Sequence, residues 1–178
     1  MAQLSNNPWS FVPSDPAIAT ITGATGLTLN ADTSVSITTT GALTFNATAD
    51  SNLAFTVIGA ANPLYNGFYV RTAGASGATA FTMQPQFIIP VGTAQSGGGT
   101  LIQVLYRHRV RVEDISWQNV VLASQSLDLR DRNGNIIWQA STSASVPASN
   151  SQNRGKLFWV SGIAPNVIQS GIVIVTVN

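Results

Sequence analysis

The sequence predicts an all-β protein of two small β-sandwich or barrel modules linked by a long strand, with little or no α-helix. Short runs rich in Thr, Val, Ile and aromatic residues alternate with Gly, Asn, Asp and Pro at close intervals, which is how strands joined by tight turns read. Helical periodicity is lacking, since β-branched residues dominate and Ala is scattered. Near residues 100–114, TLIQVLYRHRVRVED, the longest candidate strand, the chain also changes character. It is almost uncharged before this stretch and carries most of its charge after it.

Residues 1–16 hold Pro8, Pro13 and Pro16, which bar helix and favour an extended arm, with Trp9, Phe11 and Val12 between them. Trp9 and Phe11 dock either on their own domain or on a neighbouring subunit. From 17 to 87 the strand candidates are AIATIT, LTL, SVSITTT, ALTFNA, LAFTVIG, GFYVRT, AFTM and QFII. Alternation puts Val35, Ile37 and Thr39 on one face, and likewise Leu53, Phe55 and Val57. Residues 90–99, PVGTAQSGGG, form a loop. It is not a phosphate loop, because the spaced Gly-Lys pattern and a following helix are both missing.

In the long strand, Ile102, Val104, Tyr106, His108, Val110 and Val112 share the face expected to point inward, and Arg107, Arg109 and Arg111 share the other. The strand is expected to bridge an N-terminal module, 17–112, and a C-terminal module, 113–178. Asn133-Gly134 between alternating residues signals a hairpin. A two-residue loop sets Leu129 opposite Trp138, whereas a type I turn that includes Arg132, with a bulge at Gly134, sets Leu129 opposite Ile137. Residues 141–155 read as a polar excursion, and KLFWVS and GIVIVTVN supply two final strands. Trp117, Trp138 and Trp159 recur at intervals of 21 residues and are expected to line one small core rather than to mark a repeat. Ile172 and Ile174 lie in a strand apolar on both faces, which suits burial between layers or at a subunit interface.

Composition points to assembly. Charged residues are 8% of the chain, against roughly 25% in an ordinary soluble domain, and a neutral polar surface protects poorly against self-association. The net charge of +1 and pI near 8.2 give no drive toward nucleic acid or acidic membranes. Residues 1–106 carry a net −2 and residues 107–178 a net +3. The N-terminus shows no signal-peptide pattern and no stretch is long enough to span a membrane as a helix, so folding in the cytoplasm is expected.

Catalytic and metal chemistry find no constellation. The chain has no Cys and one His, so neither a thiolate zinc site nor a second imidazole ligand is available. No nucleophile elbow accompanies His108. The adjacent Glu113 and Asp114 point to opposite faces of a strand, and DRNGN lacks the first and last ligands of a calcium loop. No cofactor is expected. The three arginines remain, either as a cross-strand ladder with Asp128, Asp131 or Glu113, or as an interface.

FTVIGAANPLYNGFYVRT, residues 55–72, resembles a strand, turn and strand unit of small all-β modules in tailed-bacteriophage particles. LDLRDRNGNIIWQ with GIVIVTV is similar to the C-terminal β module of small phage structural proteins. In the first, Pro63 sets φ, Tyr65 can anchor the turn and Asn66-Gly67 accepts positive φ; in the second, Asn133-Gly134 does so. The resemblance implies a structural, non-enzymatic virion protein, most simply a capsid decoration or cement protein. Its partners would be further copies of the chain, a trimer being favoured, and other virion proteins such as the major capsid protein. A tail or fibre component, including a host-glycan-binding module, is the alternative, with Trp9, Trp117 and the loop at Gly97 as its aromatic platform.

Overall fold

The computed structural model describes residues 8–45, 54–120, 123–142 and 158–177. In these residues thirteen strands form two antiparallel sheets, and the only helical element is a single 3-10 turn at Pro63–Tyr65. The strands are β1 (Trp9–Phe11), β2 (Ile18–Thr20), β3 (Leu27–Leu29), β4 (Val35–Leu43), β5 (Ala54–Ile58), β6 (Gly67–Ala73), β7 (Ala78–Pro85), β8 (Thr100–Gln103), β9 (Tyr106–Gln118), β10 (Ser126–Arg130), β11 (Ile136–Ser141), β12 (Phe158–Ile168) and β13 (Ile172–Val177). The fold is all-β and consistent with two β modules.

The first module is a seven-stranded sheet in the order β2-β8-β5-β6-β7-β4-β3. It curls until its ends meet. Ile21 bridges Thr39, and the Thr22 N–H donates to the Thr38 carbonyl at 2.8 Å. Alternation accounts for the core: Val35, Ile37 and Thr39 all point inward from β4, as do Phe55 and Val57 from β5 and Leu101 from β8. Leu53 lies outside the described residues. Two sequence boundaries shift. SVSITTT and the start of ALTFNA merge into the nine-residue β4, and QFII is not a strand, since it follows the end of β7 and leaves Ile88 exposed.

The second module is a six-stranded sheet, β1-β13-β9-β12-β10-β11. The strand expected to bridge the modules is in fact two. β8 belongs wholly to the first sheet and β9 wholly to the second, so the sheets change over between Gln103 and Tyr106 rather than at residue 112. The Val104 N–H donates to Ala54 O and the Leu105 N–H to Ile163 O, both at 2.9 Å, so consecutive peptides serve different sheets. β5 and β8 are consequently buried on both faces. Phe55, Val57 and Leu101 face the first core, while Ala54, Ile102 and Val104 form a small junction core with Ala164, flanked by Ile58 and Phe68.

The arm docks on its own chain. β1 pairs with β13 in the register Trp9↔Val175 and Phe11↔Val173, which covers the edge that β13 would otherwise present. Phe11 is 1% exposed within the second core, and the Trp9 ring stacks on Tyr106 with centroids 3.7 Å apart. Both rings thus dock on their own chain, Phe11 completely and Trp9 half-buried. An apolar ring gains most from the nearest dry surface, and here β13 and Tyr106 supply it. Ile172 and Ile174 lie on the outer face of β13, half-buried, with β13 held between β1 and β9.

Bulges correct two further expectations. Three steps along β9, from Arg109 to Tyr106, span two along β12, from Ser161 to Ile163, so Arg107 and His108 share Gly162 as their opposite residue. Such a two-against-one pairing breaks alternation. His108 is exposed, not inward, while Arg107 sinks until its Nε is buried. The DRNGN hairpin combines both alternatives. The Gly134 N–H donates to Asp131 O at 3.0 Å and Gly134 has φ +86°, so Arg132 joins the turn; a second irregularity then shifts the register and sets Leu129 opposite Trp138. The tryptophans also divide. Trp117 and Trp138 are core residues, whereas Trp159 is 58% exposed, because its pairing with Arg111 puts it on the outer face.

Three substitutions test this architecture. Phe11→Ala should cost about 3–5 kcal/mol in denaturant unfolding, the range for emptying a buried aromatic site, with the sedimentation coefficient of the folded protein unchanged. Gly162 has φ +83°, and a Cβ there would lie 2.5 Å from Tyr106 O. Gly162→Ala should therefore lose more than about 2 kcal/mol, while Gly41→Ala, where a Cβ meets nothing within 4 Å, should be neutral or slightly stabilising.

Candidate assembly surface

The outer face of the second module carries the arginines. Arg109 lies opposite Ser161 and Arg111 opposite Trp159 across the β9 and β12 pairing. The Arg109 guanidinium sits 4.9 Å from the centroid of the Trp159 ring, on the diagonal. Like charges spaced about 7 Å apart on one strand repel, and the negative face of the indole offsets part of this, by about 0.5–1 kcal/mol at an exposed site. The surface thus displays an aromatic ring with a cation laid on it and a second cation beside it.

Two of the three carboxylates that could have formed an internal ladder are committed elsewhere. Asp128 holds Arg130 at 2.9 Å and accepts from the Asn166 amide at 2.7 Å. Asp131 closes its own turn, accepting from the backbone N–H groups of Asn133 and Asn135 at 2.8 and 2.9 Å and from the Asn135 side chain at 3.0 Å. The third, Glu113, sits at a bulge where β9 gains a residue against β13.

Exposed apolar groups occur on the first module too. Ile88 and Val91, in the loop after β7, are 90% and 92% exposed. Val91 helps to line a recess of about 210 Å³ with Leu29, Asn30, Ala31, Thr33, Gly92 and Thr93. Within the loop at 90–99, Ser96 is buried, exchanges backbone hydrogen bonds with Leu27, and accepts through its hydroxyl from the Asn62 N–H at 2.9 Å.

The two turns that carry the sequence resemblance meet at the junction. Pro63 opens the 3-10 turn, whose N-cap Asn62 accepts from the Leu64 N–H. Tyr65 is fully buried, and its hydroxyl donates to Ala94 O at 3.2 Å. Asn66 is extended at φ −73°, so only Gly67, at φ +145°, takes the positive angle, and the space above it is filled by the Phe87 ring. Asn66, Gly67 and Phe68 then line a cleft of about 350 Å³ with Gln86, Phe87, Arg132 and Asn133. Gly134 packs on Ile58, which ties the second turn to the first module.

Of the aromatic platform candidates, Trp117 is 1% exposed and donates through its indole N–H to Ser170 O at 2.7 Å, and Trp9 is stacked on Tyr106. Trp159 is the exposed indole instead. Sequence reasoning missed it because the 21-residue spacing argued for a shared core, and missed Arg132 because its segment read only as a turn. Among the described residues no three His, Cys, Asp or Glu side chains group to hold a metal, and no helix is long and apolar enough to cross a membrane. Comparison with protein-family models, with curated proteins and with solved structures finds no match.

The turn at 63–67 makes a prediction through Tyr69, whose hydroxyl donates to the buried Tyr65 carbonyl at 2.6 Å. Burial, and then the neighbouring Tyr65, raise its ionisation above the ordinary value of 10.0. The fold holds the neutral phenol, so this contribution is complete below pH 10 and is lost as pH rises above it. Tyr69→Phe should cost about 1–2 kcal/mol near neutral pH and flatten the alkaline fall in stability, as read by urea unfolding across a pH series.

Proposed function

We propose that this chain is a structural protein of a tailed-phage particle, most simply a capsid decoration or cement protein that acts as a homo-oligomer on the head lattice. The observation that carries the assembly part is the outer face of β9 and β12, where Trp159 and Arg109 stay exposed in contact with one another and Arg111 lies beside them. Trp and Arg are the residue types that dominate interface energetics, and a guanidinium already held against a ring loses less freedom when a carboxylate reaches it. Exposed Ile88 and Val91 support a second contact on the other module. The low charge of the chain supports covered rather than free surface. The particle setting rests on the two resembling segments.

A tail or fibre component that binds a host glycan is the second reading, favoured by the junction cleft. The two separate by experiment. Trp159→Ala combined with Arg109→Gln and Arg111→Gln should leave the melting temperature within a few degrees, because these side chains are exposed or half-exposed. The same variant should shift sedimentation toward smaller species and weaken co-sedimentation with phage heads by about tenfold or more. A lower melting temperature with unchanged assembly would assign the strip to the fold and remove the proposal.

A further inference from the structure

We infer that the junction cleft binds a saccharide bearing a carboxylate, such as a uronic acid unit, with Arg132 as the residue that receives the charge. Arg132 enters the cleft wall from the second module and lays its guanidinium on the Phe68 ring of the first, 5.2 Å from the centroid. One N–H of its Nη1 donates to Arg107 O at 3.2 Å, while its Nε is buried with no hydrogen-bond partner. The Nε of Arg107, whose carbonyl takes that bond, is likewise buried without a partner. Among the described residues no carboxylate lines the cleft, and the nearest in sequence, Asp131, is turned onto its own loop. A partly buried cation whose neighbours are amides and rings lacks the anion that would offset its desolvation.

The rest of the lining selects the kind of anion. A planar carboxylate matches the guanidinium fork and brings one negative charge against one half-buried cation, whereas a phosphate monoester brings about −1.5 to −2. Asn66, Gln86 and Asn133 provide amides, each with donors and an acceptor suited to hydroxyl groups. Asn66 already spends its carbonyl on the Ala60 N–H at 2.9 Å, which leaves its NH2 for a ligand. Phe68 and Phe87, both half-buried, offer apolar surface for the C–H face of a sugar ring. The volume of about 350 Å³ falls within the range of small-molecule sites. The inference deepens the glycan-binding reading but uses isolated protein, so its outcome is separate from that of the assembly experiment.

The test is titration of the purified chain, by calorimetry or NMR, with oligogalacturonate and with its methyl ester, in which a methyl group on each carboxyl removes the charge. The acid should bind, and the ester about tenfold or more weakly. Arg132→Gln should cost the acid the same factor and leave the ester unchanged. Asn133→Asp, at an exposed turn position that tolerates Asp, should also suppress the acid by setting a carboxylate beside Arg132, which keeps the test open should Arg132→Gln fail to fold. Equal binding of acid and ester, no binding of either at millimolar concentration, binding indifferent to both variants, or tighter binding of a polyglutamate peptide than of the sugar would each overturn the assignment.

Discussion

The structure turns on one peptide. At Val104 the chain still donates to the first sheet, and at Leu105 it donates to the second. A strand cannot belong to two differently oriented sheets unless its ladder changes partner abruptly, and the change leaves no room for water, since Val104 is fully buried. The flanking side chains must then be buried on both faces, either apolar or, like Thr56, with the polar atom bonded internally, its hydroxyl donating to Gly67 O at 3.1 Å. This is why β5 and β8 are buried on both sides and why Ala54, Ile102, Val104 and Ala164 form a core of their own. Each of the larger side chains contributes about 1.5–3 kcal/mol on burial, which couples the two modules.

The fold was legible where period two and turn chemistry operate alone. Val35, Ile37 and Thr39 face inward as alternation requires, and Gly134 takes the positive angle that its dipeptide announces. What sequence could not supply was the position of the bulges. A bulge is one extra residue with no compositional mark of its own, yet it decides whether His108 is inside or outside and which residue opposes Leu129. In hindsight Gly162 offered a weak signal, being an isolated glycine within an otherwise strand-like run.

The candidate surfaces were legible only in part. The arginine stripe is visible from spacing, but Trp159 joins it through a register of β12 that begins at Phe158, just after residues whose pairing no local pattern specifies. Arg132 shows the opposite difficulty. Its segment reads correctly as a turn, and a turn tip ordinarily faces water, but this one is pressed against Phe68 and Ile58 of the other module. Local chemistry determines the shape of a turn and says nothing about what lies beneath it. The carboxylates illustrate the same point. Asp128 and Asp131 are close in sequence to the cations of the second module, and geometry assigns Asp131 to its own turn and Asp128 to Arg130 and the distant Asn166.

The pairing of β1 with β13 has a consequence for how the chain is made. Trp9↔Val175 joins the first and last of the described strands, so the contact closes a loop nearly as long as the chain. Contacts of such sequence separation form late, because loop closure must precede any gain from pairing. During synthesis the first module can complete its sheet as soon as β8 has emerged, whereas the aromatic arm stays without its strand partner until β13 is released. Trp9 and Phe11 are therefore the side chains that remain uncovered longest, and a nascent chain that fails to place them exposes an apolar hook of the sort that draws unfinished proteins together.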